Sequence, residues 1–302
     1  MQKRILLTGA NGLLGQKIVK LLAGRPQIQL IATGRGPNRN PFTEDYTYEQ
    51  ADLTNKIEVE YLFETFQPTH LIHTAAMTLV DKCELDQVNA ERNNVDVVAS
   101  LTRLCQQYET HMVHVSTDFV FDGENGPYKE EDSTNPVNYY GACKLKAEEI
   151  VLKADPKLRV AVLRTMLIYG TSPAMSRSNI VLWVKKSLEE AKEIKVVDDQ
   201  FRCPTLAEDL ANACVSASLR ESEGIYHVSG NEMMSIIELA RRVARHWKLD
   251  ESLIKPTDSA SLKQAAKRPP KTGFVILKAQ MELGYKPRSL KKGLDLLDLQ
   301  LT

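Results

Sequence analysis

The sequence predicts an α/β fold in which a doubly wound parallel sheet is joined to a smaller, discontinuous domain toward the C-terminal end. Three observations lead to this prediction. Short apolar strands alternate with helical segments from residue 4 to residue 163, which is typical of a parallel sheet. The first strand runs directly into a glycine-rich turn and an amphipathic helix. Beyond residue 168 the alternation loosens, and 302 residues are many for one domain.

The elements of the sheet follow one another along the chain, and each strand is a short run of mainly apolar or β-branched residues. A polar stretch from 34 to 49 interrupts the pattern after the second strand, and a late strand at 225–228 returns to the main sheet. The other predicted strands are 4–8, 28–33, 70–73, 113–116 and 159–163, and the helices are 13–23, one ending at Phe66, 88–108 and 138–153.

The glycine-rich turn has the spacing of a dinucleotide-binding fingerprint. In Rossmann-type sheets Gly9 would make the tight turn, Gly12 would let the backbone approach a pyrophosphate, and Gly15 would let the helix pack against the strand. The N-terminus of the following helix faces the phosphates. We therefore expect the cofactor to contact Gly9, Asn11, Gly12, Leu13, Leu14 and Gly15.

The second half of the chain carries two capping boxes that mark helix starts, one from Thr205 to Glu208 and one from Ser235 to Glu238. The late strand lies between them. We therefore predict an NAD(P)-binding Rossmann domain at 1–168 and 205–230. A discontinuous substrate-binding domain at 169–204 and 231–302 is expected to rest over the carboxyl edge of the strands, where open sheets bind ligands.

The end of the second strand bears on the choice of cofactor. An acidic residue there would bind the ribose hydroxyls of NAD, whereas a basic residue would accommodate the phosphate of NADP. This chain has no acid at that place and has Arg35 and Arg39 close by, so NADP is favoured, with NAD as the alternative. Asp52 and Leu53 are placed to meet the adenine edge. Ala75 and Ala76 keep the backbone accessible near the cofactor.

Tyr140 and Lys144 stand four residues apart on a predicted helix, so their side chains lie on the same face. A tyrosine pKa near 10 must fall by roughly 3 units, or about 4 kcal/mol, for the phenolate to form near neutral pH. A neighbouring ammonium supplies much of this stabilisation. Thr117 ends the strand at the same edge of the sheet, where its hydroxyl can hydrogen-bond a substrate carbonyl.

Composition excludes several classes of function. The chain has 39 basic and 39 acidic residues, which gives no electrostatic basis for binding nucleic acid or an anionic membrane. Its five cysteines are scattered without metal-ligand spacing, so we expect reduced thiols, no metal and a cytoplasmic protein. His73 and His114 lie in apolar strands and are interpreted as core histidines.

Taken together, these motifs resemble the extended short-chain dehydrogenase/reductase superfamily. Within it, the segments at 116–123, 199–205 and 268–269 are similar to the dTDP-4-dehydrorhamnose reductase group. The resemblance implies reduction of a 4-keto group on a nucleotide-linked deoxysugar by NAD(P)H, in a protein that can be a homodimer. It implies that Tyr140 protonates the carbonyl, that Lys144 holds the ribose and lowers the Tyr140 pKa, and that Thr117 orients the carbonyl.

The resemblance also implies the substrate-binding residues Thr117, Asp118, Phe119, Gln200, Arg202 and Arg268. Dehydratases of the superfamily follow the catalytic hydroxyl with Asp-Glu, whereas here Phe119 follows Asp118, so elimination lacks its second carboxylate. Rhamnose-pathway reductases carry tyrosine at the position of Phe119 and tryptophan in the segment of Leu167. The same family contains the regulatory beta subunit of methionine adenosyltransferase, so a dinucleotide-binding regulatory or interaction protein is the alternative hypothesis.

Overall fold

The computed structural model describes residues 2–41, 44–175 and 177–301. In chain order the strands are β1 (Lys3–Thr8), β2 (Ile28–Gly34), β3 (Thr47–Gln50), β4 (His70–His73), β5 (His111–Thr117), β6 (Val160–Thr165), β7 (Ile168–Tyr169), β8 (Ile194–Val197), β9 (Phe201–Arg202), β10 (Thr205–Leu206), β11 (Gly224–His227), β12 (Met234–Ser235) and β13 (Ile254–Thr257).

The helices are α1 (Leu13–Leu22), α2 (Lys56–Phe66), α3 (Val80–Leu85), α4 (Gln87–Glu91), α5 (Val97–Gln107), α6 (Tyr139–Leu152), α7 (Ile180–Glu189), α8 (Ala207–Leu219), α9 (Ile236–His246), α10 (Leu277–Leu283) and α11 (Leu290–Leu301). A π-helical turn at Arg92–Asp96 joins α4 to α5, so the single helix predicted at 88–108 is one segment with a bulge. Within the three described ranges, no helix is long and apolar enough to span a membrane.

Seven parallel strands form the central sheet in the order β11-β6-β5-β4-β1-β2-β3. This confirms the predicted α/β fold and the return of the late strand to the main sheet. The chain runs outward from β1 to β3 and then crosses to β4, so the strand order reverses between β1 and β4. The carboxyl ends of these two strands therefore border the crevice in which such sheets bind ligands.

Alternating side chains of the strands supply two cores, one on each face of the sheet. Ile5 and Leu7 belong to the core that α1 and α8 cover, whereas Leu6 belongs to the core under α2, α5 and α6. Both faces are buried, so each strand is apolar nearly throughout. This arrangement holds the glycine-rich turn and α6 at the same edge of the sheet.

A separate core lies outside the central sheet. It is built from α7, α9 and α11 together with the parallel pair β8 and β13. The residues from Phe274 to Tyr285 do not join it, because they pack with α8 and β11 in the first core. We therefore propose that the substrate-binding domain is interrupted once more than its predicted boundaries of 169–204 and 231–302 allow. The two-domain division itself stays a prediction.

Two local features differ from the sequence prediction. The polar stretch at 34–49 contains the start of β3, an edge strand that its partly polar side chains conceal. The capping box at Thr205 is wrong, because the Thr205 hydroxyl donates to the carbonyl of Met166 at 2.7 Å and α8 begins at Ala207 without a side-chain cap. The box at Ser235 is confirmed, since its hydroxyl accepts from the Glu238 N–H at 3.3 Å.

Replacing Gly141 by alanine should destabilise the protein, because the added Cβ would lie 2.1 Å from the carbonyl oxygen of Phe119. We expect Gly141→Ala to lower the free energy of unfolding by about 1–3 kcal/mol, measured by urea denaturation. Ala142→Ser, at the exposed next position, is the matched control and should stay within about 0.5 kcal/mol. Equal stability of both variants would contradict the close packing of α6 on this segment.

Candidate active site

The glycine-rich turn forms an open cradle at the carboxyl end of β1. Gly9 has a φ of +72°, and a Cβ there would lie 2.8 Å from the backbone nitrogen of Ala75. A Cβ on Gly15 would lie 2.2 Å from the Gly9 carbonyl oxygen, so α1 packs directly on the turn. Gly12 is exposed and is the N-cap of α1, with no side chain capping the helix. The N–H groups of the first turn are thus presented to a ligand, which fits a pyrophosphate.

The loop after β2 is fastened to this turn by Asn11. The Asn11 amide nitrogen donates to the Pro37 carbonyl at 3.0 Å, and its oxygen accepts from the Arg39 N–H at 2.9 Å. The side chain predicted to contact the cofactor is therefore engaged within the protein. Its contacts hold the segment that carries Arg35 and Arg39, both of which are exposed.

The remaining residues predicted around the cofactor border the same crevice. Partial burial acts to raise the pKa of Asp52, but hydrogen bonds from Thr54 and the charge of Arg35 hold that pKa below its ordinary value. Asp52 therefore stays anionic beside a guanidinium. Leu13, Leu53 and Ala75 are partly buried, Ala76 is exposed and Leu14 is buried in the first core.

Thr117, Tyr140 and Lys144 come together because the start of α6 packs against the end of β5. Asn138 caps α6 by accepting from the Gly141 N–H at 2.8 Å, and its amide donates to the Lys267 carbonyl at 2.8 Å. Tyr140 is only 8% exposed, and the Thr117 hydroxyl lies close enough to the phenol to lower its pKa. The structure thus groups the three side chains that the sequence predicts to act together.

The electrostatics of this group differ from the sequence expectation. Burial raises the pKa of Tyr140 well above its ordinary value, and the opposing effects of the Thr117 hydroxyl and the Arg177 charge do not reverse this. Burial also lowers the pKa of Lys144 to about 8. The Lys144 ammonium is directed at β5, where it donates to the Val115 carbonyl at 2.7 Å and contacts His114 Nε2 at 3.1 Å. The phenol is therefore held in its neutral form.

Asp118 and Arg202 are two predicted substrate residues that contact each other instead. Arg202 Nε lies 3.3 Å from Asp118 Oδ2, the same oxygen accepts from the Thr272 hydroxyl at 2.5 Å, and both charged residues are buried. Arg202 also donates to the carbonyl of Pro269 at 2.6 Å. This buried pair anchors the segment at 269–272, and both side chains are engaged within the protein.

Gln200 and Arg268 are likewise engaged within the protein. Gln200 is buried and donates to the Ser259 hydroxyl at 2.8 Å. Arg268 forms two hydrogen bonds to Asp81, at 2.6 and 2.7 Å, and thereby ties the C-terminal segment to the start of α3. Phe119 is partly buried, and its ring meets the Tyr140 ring edge-on with centroids 6.0 Å apart. Of the predicted substrate residues, Thr117 and Phe119 lie against Tyr140.

Arg177 lies near Tyr140 but is not predicted from the sequence. It is exposed, its guanidinium donates to the Thr78 hydroxyl at 2.8 Å, and its charge acts on Tyr140. No motif surrounds Arg177, and only the fold brings it near α6. Throughout the described ranges, no group of three or more His, Cys, Asp or Glu side chains is arranged to hold a metal ion.

Comparison with known proteins agrees with this geometry. The family described as "RmlD substrate binding domain" matches residues 3–299. A dTDP-4-dehydrorhamnose reductase of Aggregatibacter actinomycetemcomitans is 29% identical over 303 residues, covering 96% of this chain and 97% of that protein. Methionine adenosyltransferase 2 subunit beta of Bos taurus is 33% identical over 264 residues, covering 85% and 76%. The solved structure of dTDP-4-dehydrorhamnose reductase from Bacillus anthracis in complex with NADP is 27% identical, with a TM-score of 0.84, covering 99% and 100%.

The protein has a parallel sheet, a glycine turn followed by a helix without a side-chain cap, and a Thr-Tyr-Lys group at the carboxyl edge of the sheet. These features define an extended short-chain dehydrogenase/reductase. The match over nearly the whole chain then narrows the class, and this protein belongs to the RmlD substrate binding domain family.

We predict that breaking the Asp118–Arg202 pair lowers the free energy of unfolding. Asp118→Asn removes the anion and leaves the Arg202 guanidinium buried without a counter-charge, so we expect a loss of about 3–5 kcal/mol in the free energy of unfolding. Urea denaturation measures it, with Asp96→Asn, an exposed aspartate, as control at about 0.5 kcal/mol or less. A variant of Asp118 with unaltered stability and only a raised KM would instead indicate direct substrate binding.

Proposed function

We propose that the protein is an NADP-dependent reductase that acts on the 4-keto group of a nucleotide-linked deoxysugar. The observation that carries this proposal is the grouping of Thr117, Tyr140 and Lys144 beside a glycine turn whose helix N-terminus is open to an anion. The strand order of the sheet brings the Thr-Tyr-Lys group and the glycine turn to one crevice. The Aggregatibacter and Bacillus proteins, which are named as dTDP-4-dehydrorhamnose reductases, support the sugar substrate.

The residues present fit a dinucleotide. We propose that the backbone of the turn from Gly9 to Gly15, with Leu13 at the helix N-terminus, holds the pyrophosphate and that Asp52 and Leu53 border the adenine. Arg35 is exposed beside the turn and provides a cation for the additional phosphate of NADP. When bound here, the nicotinamide of this cofactor would supply the hydride. NADP in the related Bacillus anthracis structure supports this choice of cofactor.

The protein's own groups manage the proton and the orientation of the carbonyl. Because burial raises the Tyr140 pKa, the phenol stays protonated at neutral pH and is ready to donate to a developing alkoxide. The Thr117 hydroxyl lies beside it and orients the carbonyl oxygen. Lys144, buried with a pKa of about 8, presents an ammonium to the ribose. Phe119 supplies an apolar wall against Tyr140.

Asp118, Arg202, Gln200 and Arg268 act on the substrate pocket indirectly in this proposal. Their hydrogen bonds hold Ser259 and the segment at 266–272 in place around the cleft. Arg177 is an exposed cation whose charge acts on Tyr140, and we propose that it meets an anionic substrate group. The absence of a carboxylate at Phe119 continues to favour reduction over elimination.

A regulatory protein is the second candidate, and two observations favour it. The chain is 33% identical to a methionine adenosyltransferase subunit beta and has Phe119 and Leu167 where rhamnose-pathway reductases have a phenol and an indole. Leu167 packs against the separate core outside the central sheet and does not provide a flat ring. In this alternative the protein binds a dinucleotide and associates with an enzyme. A homodimer and a cytoplasmic location stay proposals, the latter supported by five buried free cysteines.

Tyr140→Phe tests the proposed acid. The variant keeps the ring and loses the proton donor, so NADPH oxidation with 4-keto nucleotide sugars should slow by roughly 100-fold or more while the Kd for NADPH changes less than about twofold. Tyr139→Phe, at the neighbouring position whose hydroxyl contacts Glu91, is the control. Loss of NADPH binding in Tyr140→Phe would refute the assigned role. Wild-type protein that binds NADPH and reduces no sugar would favour the regulatory candidate.

Arg35 and Arg39 should determine the preference between cofactors. The double variant Arg35→Gln/Arg39→Gln removes two exposed cations beside the turn, and we expect the Kd for NADPH to rise by about tenfold or more. The Kd for NADH, which lacks the phosphate, should change by less than about twofold. Fluorescence titration with each nucleotide measures both constants. Equal weakening of NADPH and NADH binding would refute phosphate recognition by these arginines.

A further inference from the structure

A row of polar side chains crosses the central sheet near the carboxyl ends of β1 and β4. Thr8, His73 and His114 occupy neighbouring register positions on β1, β4 and β5 and are almost completely buried. The next residue in the row, Val162 on β6, belongs to the apolar core under α2, α5 and α6. A buried histidine in such a layer requires a polar partner, and for His114 that partner is Lys144.

The contact between Lys144 and His114 determines which of the two side chains donates the hydrogen bond and which accepts it. An ammonium has three N–H groups, and His114 Nε2 at 3.1 Å and the Val115 carbonyl at 2.7 Å take two of them. Among the residues that the structure describes, no third acceptor is present, so one N–H is left for a ligand. Because His114 Nε2 accepts, the neutral ring carries its proton on Nδ1.

The ring of His114 is held in this orientation by its neighbours. It stacks on the His73 ring with centroids 5.5 Å apart and planes inclined by 20°. His73 is fixed in turn by a 2.7 Å hydrogen bond between its Nδ1 and the Thr8 hydroxyl. Burial and the Lys144 charge lower the pKa values of both histidines, that of His73 to about 3, so the rings stay neutral and His114 remains an acceptor.

We propose that His114 is a positioning residue that orients the Lys144 ammonium, so that its remaining N–H is directed to the dinucleotide. This inference rests on the proposed role of Lys144 in cofactor binding. It gives His114, which the sequence analysis interprets as a core histidine, a part in the site. Without an acceptor at Nε2, the ammonium would keep only the Val115 carbonyl as a fixed partner.

The titratable groups around Lys144 determine the expected pH dependence. His114 faces it from β5 and His73 from β4, while Glu148, Cys143 and Tyr140 lie on its own helix. Glu148 favours the ammonium but is occupied by a bidentate pair with Arg164. Since the Lys144 pKa is about 8, binding that uses the ammonium weakens as the pH rises through that value. Loss of the His114 acceptor disfavours the charged form and moves this transition to lower pH.

The test is a fluorescence titration of the 302-residue chain with NADPH alone, without sugar, from about pH 6.5 to 9.5. His114→Met replaces the imidazole nitrogen by a thioether, a much weaker acceptor, at similar size, whereas His114→Gln places an amide oxygen near the Nε2 position. We expect His114→Met to raise the Kd at pH 7.5 by roughly fivefold or more and to move the transition down by at least about half a unit. His114→Gln should stay within about twofold of the wild type.

The control is His111→Met. His111 is a buried histidine on the same strand that contacts the Ser222 carbonyl and not Lys144, so this variant should reproduce the wild-type profile. If His114→Met fails to fold, His114→Asn replaces it, since its shorter amide does not reach the ammonium. An unchanged profile in the variant without the acceptor, or equal damage in His114→Gln or His111→Met, would overturn the proposal. Because no sugar is present, failure of sugar reduction is detected separately and leaves this result standing.

Discussion

The packing of the first turn of α6 on the end of β5 is the constraint on which the site depends. Gly141 is the residue that permits it, since any side chain there would meet the backbone of Phe119. This approach places the Tyr140 phenol beside Thr117 and carries Lys144 over β5. The same end of β5 is anchored from below by the Asp118–Arg202 pair. This edge of the sheet is therefore built from the contact between α6 and β5, and it is held by hydrogen bonds to the loop segment at 267–272.

Burial of the Tyr140–Lys144 pair has opposite consequences for its two members. It disfavours the phenolate and the ammonium alike, which raises one pKa and lowers the other to about 8. The surroundings stabilise a different protonation state in each side chain. A neutral phenol is the form that a proton donor requires, whereas the ammonium is supported by two acceptors on β5. The pair thus consists of a protonated acid and a cation directed away from it.

The sequence predicts the sheet, the glycine turn and the Thr-Tyr-Lys group because each rests on local patterns that the tertiary structure preserves. It does not predict the partners of Asp118, Arg202, Gln200 and Arg268, since those contacts join positions up to 187 residues apart. A charged residue near a site looks the same in sequence whether it binds a ligand or a buried counter-ion. Strand β3 escapes prediction because its side chains are largely polar and only partly buried. The Thr205 hydroxyl escapes prediction because it donates to the Met166 carbonyl, 39 residues away, and does not cap α8.

The most direct test of the central claim is to follow the hydrogen that the reaction transfers. NADPH carrying deuterium at the reactive position of the nicotinamide would be incubated with the protein and a panel of nucleotide-linked 4-keto-deoxysugars, and the product examined by mass spectrometry and NMR. We expect one deuterium on sugar C4 and a solvent-derived proton on the new hydroxyl. A product without deuterium at C4, or no product although NADPH binds, would contradict it.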